Sequence, residues 1–78
     1  MTPWDFEQIP QLSAYDINGQ LVWDRVVSRF IADNDFEQVG KDEWTKEEKL
    51  IQYYENSKGL CIQVIWLGDN TCAVDILT

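Results

Sequence analysis

Seventy-eight residues suit one domain and not two, and a chain of this length buries only about 60% of the surface its unfolded form exposes. Hydrophobic residues make up 45% and include four Trp, three Tyr and three Phe, a supply of large side chains that disordered chains lack, so a folded protein is expected. Fourteen acids against six bases give a net charge of −8, which repels nucleic acid and anionic membrane, attracts basic protein surfaces and also serves solubility.

Residues 1–12 read as an extended arm ahead of a globular body at 13–78. Pro3 and Pro10 bracket Trp4, Phe6 and Ile9, and proline suits neither a helix interior nor a central strand. Met1 to Gln11 has neither the basic nor the apolar region of a secretory signal, and no apolar run approaches the ~20 residues of a membrane span. A cytoplasmic protein with reduced thiols at Cys61 and Cys72 is therefore expected.

An amphipathic helix is predicted over 19–33. Trp23, Val26, Val27, Phe30 and Ile31 follow helical spacing, with Asp24, Arg25, Ser28 and Arg29 off the stripe. Asn18 would cap its start and Asn34 its end. The pair Asn18-Gly19 is also a hairpin signal, but a two-residue turn there sets Asp16 against Leu21 on an apolar face, so the helix is preferred.

Residues 33–48 concentrate the charge: seven acids and two bases, a net of −5. Phe36 to Val39 reads as a short strand that Gly40 ends. The segment from Leu50 to Glu55 reads as a strand that turns through Asn56-Ser57-Lys58-Gly59 and pairs Glu55 with Leu60, Tyr53 with Ile62 and Ile51 with Val64. The rival is a helix opened by a capping box at Thr45 and Glu48 and closed by Gly59. The last hairpin spans 60–67 and 71–77. A three-residue loop at Gly68-Asp69-Asn70 sets Val64 against Val74, Ile62 against Ile76, Trp66 against Cys72 and Gln63 against Asp75; the two-residue alternative opposes Asp75 to Val64. In this register Leu60, Ile62, Val64, Trp66, Cys72, Val74 and Ile76 face the core. Cys61 faces outward and Cys72 inward, too far apart along the ladder for a disulfide. The expected fold is α+β: one helix at about 19–33 on a three- to four-stranded antiparallel meander at about 36–39, 50–55, 60–67 and 71–77.

Motifs for chemistry are missing. No histidine is present, which removes the Ser-His and Cys-His nucleophile systems. Two distant cysteines cannot build a zinc site, and no glycine-rich phosphate loop occurs. Asp33, Asp35 and Glu37 alternate as calcium ligands do, without the glycine and distal glutamate of an EF-hand loop. Glu47 and Glu48 are adjacent and point apart, so they make a poor acid–base pair. Arg25 and Arg29 are too few for a nucleic-acid footprint and suit pairing with nearby carboxylates. No catalytic residue, cofactor or metal is expected, and no direct binding of nucleic acid or membrane.

Three features suit an interaction protein. Asp33, Asp35, Glu37, Asp42, Glu43, Glu47 and Glu48 offer an acidic surface to Arg- and Lys-rich partners, or a solvated loop. Trp44 lies among them as a contact residue, or as an anchor where the chain enters the sheet. Tyr54, Ile65, Ala73 and Leu77 make the outer sheet face half apolar, to be covered by Trp4 and Phe6 of the arm or by a second copy. In size and acidity the chain resembles small phage or plasmid inhibitors and immunity proteins that block nucleic-acid-binding enzymes, a likeness of composition that covers no motif. The expected function is a non-enzymatic inhibitor or adaptor docking on a basic protein surface. The alternative is a small assembly module that associates through apolar sheet surface, as a homodimer.

Overall fold

A computed structural model describes residues 13–77. The elements run α1 (Ala14–Ile17), β1 (Gln20–Trp23), α2 (Asp24–Asp33), β2 (Glu37–Trp44), β3 (Leu50–Glu55), β4 (Cys61–Trp66) and β5 (Thr71–Ile76). All strands join one antiparallel sheet in the order β1-β5-β4-β3-β2, one strand more than expected. The expected arm, with Trp4 and Phe6, lies outside the described residues.

The core lies between α2 and one face of β1, β5 and β4. Val26, Val27 and Phe30 of α2 are buried over Val22, Cys72, Val74, Ile62 and Val64, all five with no exposed area. The β4–β5 hairpin has the expected register throughout: Ile62 opposite Ile76, Gln63 opposite Asp75, Val64 opposite Val74 and Trp66 opposite Cys72. Alternation drives it, because a slip of one residue would carry Asp75 into the core.

The expected helix at 19–33 is corrected at its start. It begins at Asp24, and Gln20–Trp23 form β1 on the free side of β5, with Leu21 opposite Ala73 and Val22 opposite Cys72. The helical stripe leaves Leu21 off its apolar side, whereas a strand pairs Leu21 with Ala73 and buries Val22 completely. Asn18 does not cap α2. Its Oδ1 accepts the Ile76 N–H at 2.8 Å, and Gly19, at φ 73°, donates its N–H to the Val74 carbonyl at 2.7 Å, starting β1 against β5. The hairpin alternative at Asn18-Gly19 is not formed either: Ala14–Ile17 is a helical turn, and Asp16 accepts the Ser13 N–H at 2.8 Å. At the other end of α2, Asn34 closes the helix through its N–H and Nδ2, which both donate to the Phe30 carbonyl.

The expected strand at 36–39 runs on to Trp44. Gly40, at φ 73°, lies within the register shift between Val39 and Glu43, so it bends the strand as a β-bulge instead of ending it. Phe36 fixes the start of β2 through burial and through ring contact with Phe30 at 5.5 Å. The helix rival for 46–57 is not formed. Thr45 Oγ1 accepts the Lys49 N–H at 3.0 Å, and Glu48 takes φ 64°, a turn that feeds β3.

The β3–β4 register is also corrected, by one residue. Glu55 faces Cys61, Tyr54 faces Ile62, Tyr53 faces Gln63 and Gln52 faces Val64. Asn56 is the cause. Its Oδ1 accepts the N–H groups of Lys58 and Leu60, both at 3.0 Å, and its own N–H donates to the Leu60 carbonyl. Asn56 and Leu60 thus close the hairpin, leaving a loop of Ser57, Lys58 and Gly59 with Gly59 left-handed at φ 83°. Tyr54 consequently packs against the core side, and Tyr53 replaces it on the outer face with Ile51.

Replacing Asn56 with alanine leaves two backbone donors without their side-chain acceptor. Asn56→Ala should lower unfolding stability by about 1–2 kcal/mol, read as a lower urea midpoint at unchanged slope.

Candidate interaction edge

The acidic segment forms an edge of the sheet. All eight residues of β2 are exposed, and the strand pairs with β3 alone. Glu37, Val39 and Glu43 share the outer face with Tyr53 and Ile51, while Gln38 and Trp44 share the helix side with Tyr54 and Leu50. Asp42, one residue before Glu43, turns to the helix side and meets Gln52. The remaining acids flank the strand. Asp33 ends α2 and pairs with Arg29 at 3.4 Å, Asp35 sits in the α2–β2 turn at φ 56°, and Glu47 and Glu48 lie in the β2–β3 turn. The candidate residues therefore line one edge on two faces and do not converge on one point.

Trp44 is 63% exposed, so it is not a core anchor. Beside it runs a hydrogen-bonded chain of side chains that sequence reasoning missed. Gln52 Oε1 accepts the Trp66 indole N–H at 2.9 Å and the Tyr54 hydroxyl at 2.7 Å. Gln52 Nε2 donates to Asp42 Oδ1 at 3.1 Å, and Gln38 Nε2 donates to the same oxygen. The signal was hidden by the expected β3 register, which puts Gln52 on the outer face; once Gln52 pairs with Val64 on the helix side, the half-buried Gln52 amide and Trp66 indole there need partners. With two amide donors on one oxygen, Asp42 is a positioned carboxylate and not a loose surface charge. Burial, then the Asp42 charge, holds the Tyr54 hydroxyl above its ordinary pKa.

On the outer face Tyr53 donates its hydroxyl to Glu43 at 2.9 Å. Glu37 stands directly opposite Glu55, a like-charge pair that costs stability. With Asp35, Val39, Asn56 and Ser57 they line an open groove of about 380 Å³. The Cys61 thiol donates to Glu55 at 3.3 Å, and this bond is the first cause of its raised pKa, ahead of burial and the Glu55 charge.

The remaining titratable features lie away from β2. Arg25 sits over the Trp23 ring at 5.5 Å. Thr71 donates to Asp69, which lowers the Asp69 pKa more than any other influence. Cys72 is fully buried, and burial, followed by the charges of Asp24 and Asp69, pushes its thiol up to about 12. Cys61 and Cys72 are both thiols. Among the described residues no group of three or more His, Cys, Asp or Glu could hold a metal ion, and no helix is long and apolar enough to cross a membrane.

Comparison with protein families, with curated proteins and with solved structures finds no match. The chemistry of the edge is what remains: carboxylates, one exposed indole and two amides hydrogen-bonded to Asp42.

The thiols give a direct check on burial. In the folded protein iodoacetamide at about pH 8.5 should label Cys61 slowly and Cys72 not at all, with both labelled in urea. The raised Cys72 pKa also has a stability consequence. The unfolded thiol ionises from its ordinary value of 9.0 and the folded one at about 12, so its contribution is complete below pH 9 and is lost as pH rises toward 12. Alkaline loss of stability, followed by urea titration at successive pH values, should be smaller in Cys72→Ala.

Proposed function

We propose that the chain is a non-enzymatic interaction protein that docks its acidic β2 edge on a basic protein surface, as an inhibitor or adaptor. The observation that carries this reading is Trp44, an exposed indole on an exposed edge strand beside a positioned Asp42. Exposed tryptophan is a characteristic anchor at interfaces, and carboxylates around it supply attraction for Arg and Lys and speed encounter. Solubility alone explains negative charge, but it does not explain a large apolar ring held in water on the most acidic stretch of the chain. Partners whose basic surfaces bind nucleic acid suit this chemistry, since carboxylates on an edge can occupy the positions of phosphates.

A second reading, association through the outer sheet face, has its own support. Leu21, Ala73, Ile65 and Ile51 form one row across four strands, all half-buried, and Leu77 is exposed beyond it. A dimer through this row would be insensitive to salt, and sedimentation at low and high ionic strength separates the two readings.

Placement of charge gives the decisive test. Glu37→Lys/Glu47→Lys/Glu48→Lys alters the edge while sparing Asp42 and Glu43, which hold hydrogen bonds. Tyr15→Lys/Gln20→Lys/Ser28→Lys/Asp69→Asn/Asp75→Lys changes net charge equally at exposed residues of α1, β1, α2, the β4–β5 loop and β5. Basic proteins captured from a host lysate at about 0.05 M salt, and released at about 0.5 M, should be lost with the first variant and kept with the second. Equal capture by both variants would sink the proposal.

A further inference from the structure

We infer that the β2 edge takes a basic extended segment as a sixth strand, so that backbone hydrogen bonds and not charge alone hold the partner. The inference deepens the charge-docking reading and rests on it. Two hydrogen bonds fix which backbone groups are available. Thr45 N–H donates to the Lys49 carbonyl at 2.9 Å and Asn56 N–H donates to the Leu60 carbonyl at 3.0 Å. Residue pairs in an antiparallel ladder alternate between exchanging hydrogen bonds and not. Counting inward from these two bonds, β3 turns the backbone of Ile51, Tyr53 and Glu55 toward β2 and that of Leu50, Gln52 and Tyr54 toward β4. The β2 partners of the first set, Glu43, Val39 and Glu37, are committed to β3. Gln38 and Trp44, on either side of the Gly40 bulge, therefore present their N–H and C=O groups outward along an edge that is exposed throughout.

An open edge with these groups is a template for another strand, and proteins normally blunt it. Here the Gly40 bulge interrupts the edge, and Lys41 is the one base on it. The acids select what is left. Two copies paired edge to edge would bring together two segments of net −5 on chains of −8, so self-pairing is opposed. A strand bearing Lys or Arg gains from the same charges. Its side chains on the helix side reach Asp42 and Trp44, and those on the outer face reach Glu37, Glu43 and Val39, which is 38% exposed. In strand addition the backbone supplies affinity and the alternate side chains supply selectivity.

The test uses the full chain and two peptides as long as β2, of alternating lysine and valine. One has an ordinary backbone, and the other is N-methylated at every second residue, with equal charge and no usable donors on one edge. Amide exchange by NMR and binding by calorimetry at about 0.05 M salt are the readouts. The ordinary peptide should bind at least about tenfold more tightly than the N-methylated one and should slow exchange at Gln38 and Trp44. Equal binding by the methylated peptide, without protection of those amides, overturns strand addition and leaves charge docking standing. Protection that appears on raising protein concentration alone assigns the edge to a second copy and overturns the basic occupant. If neither peptide binds, strand addition fails, and the charge-matched variants alone judge the docking reading.

Discussion

One carboxamide decides how half of the sheet is presented. Asn56 accepts two backbone N–H groups of its own hairpin and closes it against Leu60. That closure sets the β3–β4 register, and since side chains alternate, it fixes the face of every β3 residue. Closing one residue earlier on β3, at Glu55, would send Ile51 and Tyr53 to the helix side and turn Gln52 and Tyr54 outward. The Trp66 indole would then lose its acceptor, and Asp42 would lose one of its two amide donors.

The edge inherits its character from this constraint. Helix α2 covers β1, β5 and β4 but not β2 and the far part of β3, so the helix side there meets water. Polar side chains satisfy one another across it, from Trp66 through Gln52 to Asp42 and Gln38. This arrangement holds the Asp42 carboxylate in place on a strand whose residues are all exposed, with Trp44 beside it. The outer face carries the corresponding cost, with Glu37 set against Glu55. A cationic partner would relieve that repulsion, which links the stability of the edge to the chemistry proposed for it.

Legibility in the sequence varied with how strongly each misplacement is punished. The β4–β5 register was readable because a slip would bury Asp75 among Val64 and its neighbours. The C-terminal part of α2 was readable from Val26, Val27 and Phe30. Strand β1 was not, because Trp23 fits a helical stripe as well as a strand end, and only pairing with β5 decides between them. Gly40 reads as a terminator when taken alone and becomes a bulge once β3 supplies a partner. The β3 register was missed because both alternatives bury apolar side chains, and the Asn56 turn that separates them lies in side-chain hydrogen bonds. The acids of the candidate site were identifiable as a group, but their division between two faces was not, and neither was the exposure of Trp44.

The register is therefore the claim on which the interaction edge stands, and cross-strand proton contacts test it most directly. In antiparallel sheets, pairs that do not exchange hydrogen bonds bring their Hα atoms closest. A nuclear Overhauser spectrum should connect the Hα of Tyr53 with that of Gln63 and the Hα of Ile51 with that of Ile65. Contacts joining Tyr53 to Ile62 and Ile51 to Val64 in their place would contradict the account, since they would turn Gln52 outward and dissolve the array that positions Asp42.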